Sequence, residues 1–144
     1  MTTELHVAQS GTTSGSARRT RLIAVGGGVL AATLIWVVAR VLDVDLTVEQ
    51  GGGKDPMHVN AGFVIGFALV FALLGWAALA LFERFTAKPA TGWTILSVVV
   101  LLLSLGMPLS ADTSSGAKTM LALMHVALGA VLIPLMRGSV TKGR

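Results

Sequence analysis

Residues 117–136 read AKTMLALMHVALGAVLIPLM, and the way this stretch satisfies its backbone decides the fold. After Lys118 its one titratable side chain is His125, with apolar neighbours on both sides. Twenty residues wound as an α-helix rise about 30 Å, the thickness of a bilayer's hydrocarbon core. A lone strand of this composition would leave its N–H and C=O groups unpaired in lipid, whereas a helix closes them internally. The stretch is read as a membrane-spanning helix.

Three more apolar runs lie upstream: LIAVGGGVLAATLIWVVARVL (22–42), HVNAGFVIGFALVFALLGWAALALF (58–82) and WTILSVVVLLLSLGMPLS (93–110). Val98–Val100 would favour a strand in water, but the lipid argument makes this run a helix too. Composition agrees. Of 144 residues 53% are hydrophobic and only 12% charged, and mean hydropathy is +0.79. Soluble domains carry about 25% charged residues. The expected fold is all-α, an integral membrane four-helix bundle over residues 21–137.

The connections are polar. Residues 1–20 are rich in Ser, Thr and Gly without apolar periodicity and are expected to be a disordered tail. DVDLTVEQGGGKDPM (43–57) is broken by a glycine run, and its Pro56 is placed to open the second helix. ERFTAKPATG and ADTSSG are short turns, and residues 138–144 form a basic tail. Arg18, Arg19 and Arg21 precede a first run too long for a cleavable signal and followed by three others, so it reads as a signal anchor. With four spans both termini share one side. That side holds Arg18, Arg19, Arg21, Arg84, Lys88, Arg137, Lys142 and Arg144, against Arg40, Lys54 and Lys118 opposite. Both termini are therefore expected in the cytoplasm, in a multi-pass protein of the cell (inner) membrane. Trp93 and Trp36 suit interfaces, and Trp76 lies deeper, where it packs.

A net charge of +4 and a pI near 10.4 do not indicate a nucleic-acid partner, because the cations sit at span ends rather than in a groove. The absence of cysteine excludes disulfides, thiolate chemistry and zinc–sulfur or iron–sulfur sites. There is no tyrosine, no Ser–His–Asp set and no nucleophile with a base beside it. The chain reads as no enzyme, with no cofactor and no metal.

Helices in lipid associate through close contact and polar pairs, so small residues mark seams. Gly62 and Gly66 form a GxxxG, continued by Ala68, Ala72 and Gly75. Gly26–Gly28, Ala31 and Ala32 offer a second seam. The simpler reading puts both within the chain, the other between protomers.

His125 lies 12 residues from Arg137, about 18 Å from the inner edge. Ser104 lies 11 residues from Trp93 and Thr33 lies 11 from Leu22, each about 16 Å up. The three form a candidate midplane polar layer. Ala122 and Gly129 flank His125 at i−3 and i+4, so its stripe is expected to face helices. A polar residue within a span is by default a functional hypothesis. However, a neutral histidine satisfied by hydroxyls of neighbouring helices is the plainer account, and no span core holds an Asp or Glu for a carboxylate–histidine relay.

Haem fails on depth. His58 is 24 residues from Phe82 and His125 is 11 from Met136, so the imidazoles differ by about 20 Å. Met57, Met107, Met120 and Met124 lack the MxxM spacing that would favour copper. The acidic connection lacks a calcium loop's register.

WVVARVLDVDLTV, GWAALALFER, LLSLGMPL and ALMHVALGAVLIP together resemble a family of small four-helix membrane proteins common in actinobacteria, defined only as a domain of unknown function. The likeness covers about residues 20–137 and is strongest in the last span. It implies a multi-pass inner-membrane protein and supplies no functional residues. Two function classes remain. The leading one is a non-enzymatic structural or accessory protein, whose partners are the lipid bilayer and another copy or another membrane protein. The alternative is a small transporter or channel using the layer around His125.

Overall fold

The structure, a computed structural model, describes residues 2–49 and 52–140. Lys142 and Arg144 of the basic tail lie outside the described residues. Four helices occur among them: α1 (Thr2–Val41), α2 (Ala61–Phe85), α3 (Pro89–Ser110) and α4 (Ser115–Gly138). Each contains a stretch long and apolar enough to cross a membrane: 27 residues of α1 from Gly15, and all 25, 22 and 24 residues of the others. The all-α, four-span architecture follows.

Helix α1 continues back to Thr2, through a segment from which the sequence reading expects no regular structure. Extending an existing helix costs far less than nucleating one, and residues 2–20 contain no proline to stop it. Helix α2 opens at Asn60, whose side chain accepts the Phe63 N–H at 2.9 Å; Pro56 is not its opener, because the chain first makes a hairpin. Helix α3 opens with Pro89 in its first turn. Helix α4 opens at Ser114, which accepts the Ala117 N–H at 3.1 Å.

The long connection carries a short antiparallel pair, β1 (Thr47–Val48) and β2 (Met57–His58), with Thr47 opposite His58. Its glycine run earns its place at Gly52 and Gly53, where φ is +64° and +75°. Asp43 does not pair with Arg40 as a side chain. Its backbone turns left-handed (φ 54°) and its N–H donates to the Arg40 carbonyl, ending α1.

The helices form a square, with α4 packed on α1 and α3, and α2 on α1 and, less extensively, α3. Two buried clusters fill it. The one at the hairpin end, outer in the orientation expected from the charges, centres on Ala32, Ala39, Val64, Ala68 and Met124 under the hairpin's Leu46 and Val59. The inner one joins Ala24, Val25, Ala72, Leu79, Trp93, Leu132 and Met136. Leu128 packs against both. Trp93, expected near an interface, stands close to the start of α3. It is buried between α2 and α4, its ring over Gly75 and its Nε1–H donating to the Ile133 carbonyl at 3.4 Å. Large side chains such as Leu30, Phe67, Leu103 and Leu109 point outward.

Candidate functional site

Antiparallel registers fix the depth of each polar residue. Between α1 and α4, Arg21 reaches Ser139 at one end, Leu128 and Leu132 lie over Gly28, and Val44 lies against Gly116 at the other. Moving five residues along α1 from Gly28 to Thr33 moves back along α4 to the level of His125. Between α3 and α4, Leu101 sits on Gly129, so Ser104 lies within a turn of His125 in depth. His125 and Gly129 share a stripe, as do Ser104 and Leu101. The three residues thus occupy one layer, level with Ala32 and Met124 of the outer cluster.

Hydrogen bonds do not join them. His125 Nδ1 bonds the Leu121 carbonyl at 2.7 Å, Ser104 Oγ donates to the Leu101 carbonyl at 2.7 Å, and Thr33 Oγ1 donates to the Val29 carbonyl at 2.8 Å. Each is satisfied one turn back on its own helix. This corrects the expectation that hydroxyls of neighbouring helices satisfy the histidine: a carbonyl one turn away is already in place, and reaching it orders no second helix. A carbonyl only accepts, so Nδ1 is the donor. Among the described residues Nε2 makes no hydrogen bond.

The small residues divide into two groups. A methyl at Gly129 would lie 2.9 Å from Leu101 Cδ2, and one at Gly28 would lie 2.9 Å from Leu128 Cδ1. These are seams where helices touch. Ala122, a turn outward from His125, is half-buried. Gly62 and Gly66 differ. A methyl at Gly62 meets only the Asn60 cap, and one at Gly66 meets nothing within 4 Å. The seam expected there within the chain is not made, because α2 buries its other face, Val64, Ala68 and Ala72. Beside the open glycines Phe63, Phe67 and Phe71 form a ladder, the first two stacked at 4.3 Å.

Sequence reasoning missed a clamp at the end of the bundle that holds residues 21, 83 and 139. Arg21 donates to Glu83 Oε1 at 2.5 Å and from Nε to Ser139 Oγ at 3.0 Å, tying α1 to α2 and to the end of α4. The two charged side chains are 11% and 21% exposed, and Ser139 is buried. The clue was available: beyond the tail, Glu83 is the lone acid on an otherwise basic side, and it closes span two where Arg21 opens span one.

At the opposite end the hairpin is pinned by Trp36 Nε1–H donating to the Val59 carbonyl at 2.9 Å, and by Thr113 Oγ1 donating to the Thr47 carbonyl at 2.5 Å. Thr47 Oγ1 lies 2.5 Å from Asp45 Oδ1 and 2.8 Å from His58 Nδ1. A carboxylate only accepts, so the hydroxyl hydrogen serves Asp45 and the imidazole donates to Thr47. A cleft of about 250 Å³ here is lined by Asp45, Thr47, Glu49, Asp112, Thr113 and Ser114. A second cleft of about 520 Å³ lies at the clamp end, between α3 and α4. His125 lines neither. Among the described residues no group of three or more His, Asp or Glu is arranged to hold a metal ion.

Four long apolar helices with small residues at their contacts and large ones outside define an α-helical multi-pass membrane protein. Within that class, residues 12–142 match the model of the Family of unknown function (DUF6069), and the chain belongs to that family. No curated protein and no solved structure matches it.

Proposed function

We propose that this chain is a non-enzymatic accessory protein of the cell (inner) membrane, with both termini in the cytoplasm, that associates with another copy of itself or with another membrane protein. The observation that carries the reading is the open face of α2. Gly28, Gly75, Gly92 and Gly129 are each covered by a side chain of another helix, whereas the Gly62–Gly66 face meets no other helix. Small residues at i and i+4 let a second backbone approach closely, and van der Waals contact of that kind drives association in lipid. The orientation rests on the excess of Lys and Arg at the clamp end.

The native chain has no cysteine, so single introduced cysteines report contacts without background. Gly66→Cys in native membranes is expected to give a disulfide-linked dimer or one defined larger adduct, while Leu102→Cys, on the exposed face of α3, gives neither. Equal crosslinking at both positions, or none at Gly66, overturns the reading. Transport is the second reading, favoured by the free Nε2 of His125. It predicts that His125→Ala abolishes a solute flux in proteoliposomes while Gly66→Leu leaves it intact.

A further inference from the structure

The cleft between the first turn of α3 and the last turn of α4 is amphipathic. Its walls are Ala90, Ile133, Pro134 and Val140, and its one charged member is Arg137, exposed at the mouth. Gly138 contributes no wall, and a methyl there would meet nothing within 4 Å. The depth is set by span length: Arg137 lies in the last turn of a 24-residue apolar helix, about 36 Å long. That places its guanidinium in a headgroup layer, with Ile133 and Pro134 one turn deeper.

The charge at this end has no counterpart in the described part of the protein. Beyond the N-terminal stretch that carries Glu4, the cations Arg18, Arg19, Arg21, Arg84, Lys88 and Arg137 share a single acid, Glu83, and Arg21 already holds it. Among the described residues Arg137 makes no ion pair and donates no side-chain hydrogen bond. Arg84 differs, because its guanidinium lies 5.7 Å over the Phe85 ring. A guanidinium above an apolar cleft at headgroup depth complements an anion that carries its own apolar body.

We infer that this cleft is a binding site for one anionic phospholipid of the adjoining leaflet. The phosphate sits against the Arg137 guanidinium, which offers it two parallel N–H donors. The glycerol and first acyl carbons lie along Ile133, Pro134 and Val140. A zwitterionic lipid presents the same phosphate, but its own headgroup cation offsets the attraction to Arg137, and soluble phosphate lacks the apolar contacts. This goes beyond the accessory function proposed above and does not depend on it.

The test uses the full chain reconstituted in phosphatidylcholine vesicles holding a trace of spin-labelled phosphatidylglycerol or, in parallel, spin-labelled phosphatidylcholine. The immobilised fraction is read by electron paramagnetic resonance. Wild type is expected to favour the anionic label about fivefold, the attraction of roughly one surface cation for an anionic lipid. Arg137→Gln and Gly138→Leu should each remove most of that preference, the first by charge and the second by filling the cleft. Arg84→Gln should leave it in place.

Three results would each overturn the inference. One is equal binding of the two labels by wild type. Another is an equal loss in Arg84→Gln, which would indicate a diffuse basic surface. The last is displacement of the label by inorganic phosphate at unchanged ionic strength, which would make this an anion site with no lipid requirement. Unchanged tryptophan fluorescence in each variant confirms that the bundle remains folded.

Discussion

Replacing Arg21 by Gln removes a side chain that binds both Glu83 of α2 and Ser139 at the end of α4. The carboxylate of Glu83, whose side chain is 21% exposed in the intact pair, then loses its guanidinium partner. Breaking a largely buried pair from one side costs about 3–5 kcal/mol. The clamp lies at the end of the bundle, where water can reach a freed carboxylate, so the lower part of that range applies, about 3 kcal/mol. Glu83→Gln keeps a carbonyl acceptor for the guanidinium and loses only charge assistance, about 1–2 kcal/mol. The double variant Arg21→Gln, Glu83→Gln leaves no orphan charge. It should lose no more than Arg21→Gln alone, giving a coupling energy of about 1–2 kcal/mol. Equilibrium unfolding in mixed micelles of dodecyl sulfate and a non-ionic detergent measures this, with Trp76 and Trp93 of the inner cluster as reporters. The pair is mostly enclosed, so moderate salt should move the midpoint little. If the single losses simply add, or Arg21→Gln leaves the midpoint unchanged, the clamp does not hold the helix ends together.

Gly129→Val should destabilise by about 1–3 kcal/mol by forcing Leu101 off its seat, whereas Gly66→Ala should be neutral or stabilising by up to about 1 kcal/mol, the helix propensity difference; the same unfolding assay separates them. Because His125 and Ser104 each bond their own helix, His125→Ala and Ser104→Ala should each cost no more than about 1.5 kcal/mol. Their double-mutant coupling should be near zero, and a coupling above about 1 kcal/mol would show that they meet across the α3–α4 seam. Trp36→Phe removes the Nε1–H bond to the Val59 carbonyl and should cost about 1 kcal/mol, with faster amide exchange confined to the hairpin and the start of α2; unchanged exchange there means the indole does not pin the hairpin.

The spans were legible because their cause is local. Twenty apolar residues in lipid have one way to satisfy the backbone, and the sequence states their length directly. Boundaries moved by a few residues where capping chemistry decided them. Asn60 and Ser114 begin α2 and α4, and neither was chosen from hydropathy, because hydropathy weighs side-chain transfer and not the orphan N–H groups of a first turn. That Thr33, Ser104 and His125 stand at one level along the bundle was also legible, since it follows from counting along helices of fixed rise. What they bond to was not. A histidine in a span can reach a neighbour or its own i−4 carbonyl, and the choice depends on rotamer and packing that no spacing encodes. The GxxxG shows the same limit: two glycines four apart mark a face open to close approach, but which face α2 turns inward is set by Val64, Ala68 and Ala72 packing on the outer and inner clusters.

Charge was read correctly in number and incompletely in use. Counting Lys and Arg treats each as an independent vote on orientation, so Arg21 and Arg137 counted alike. In the folded chain they serve different ends. Arg21 is spent inside, on Glu83 and Ser139, because three chain segments end at one depth and leave an acid and a helix C-terminus to be satisfied there. Arg137 is one turn of helix away from the same end, yet it faces outward over a cleft. Two arginines at one depth therefore separate by what surrounds them: the one with an acid in reach closes the bundle, and the one without an acid remains available to whatever anion the membrane presents. The same division holds for the glycines. Gly28 and Gly129 are consumed in holding α4 to α1 and to α3, and Gly66 is left over. In a chain whose helices meet over small residues such as Gly28, Ala32 and Gly129, what the fold leaves unused is where association with other molecules should be sought.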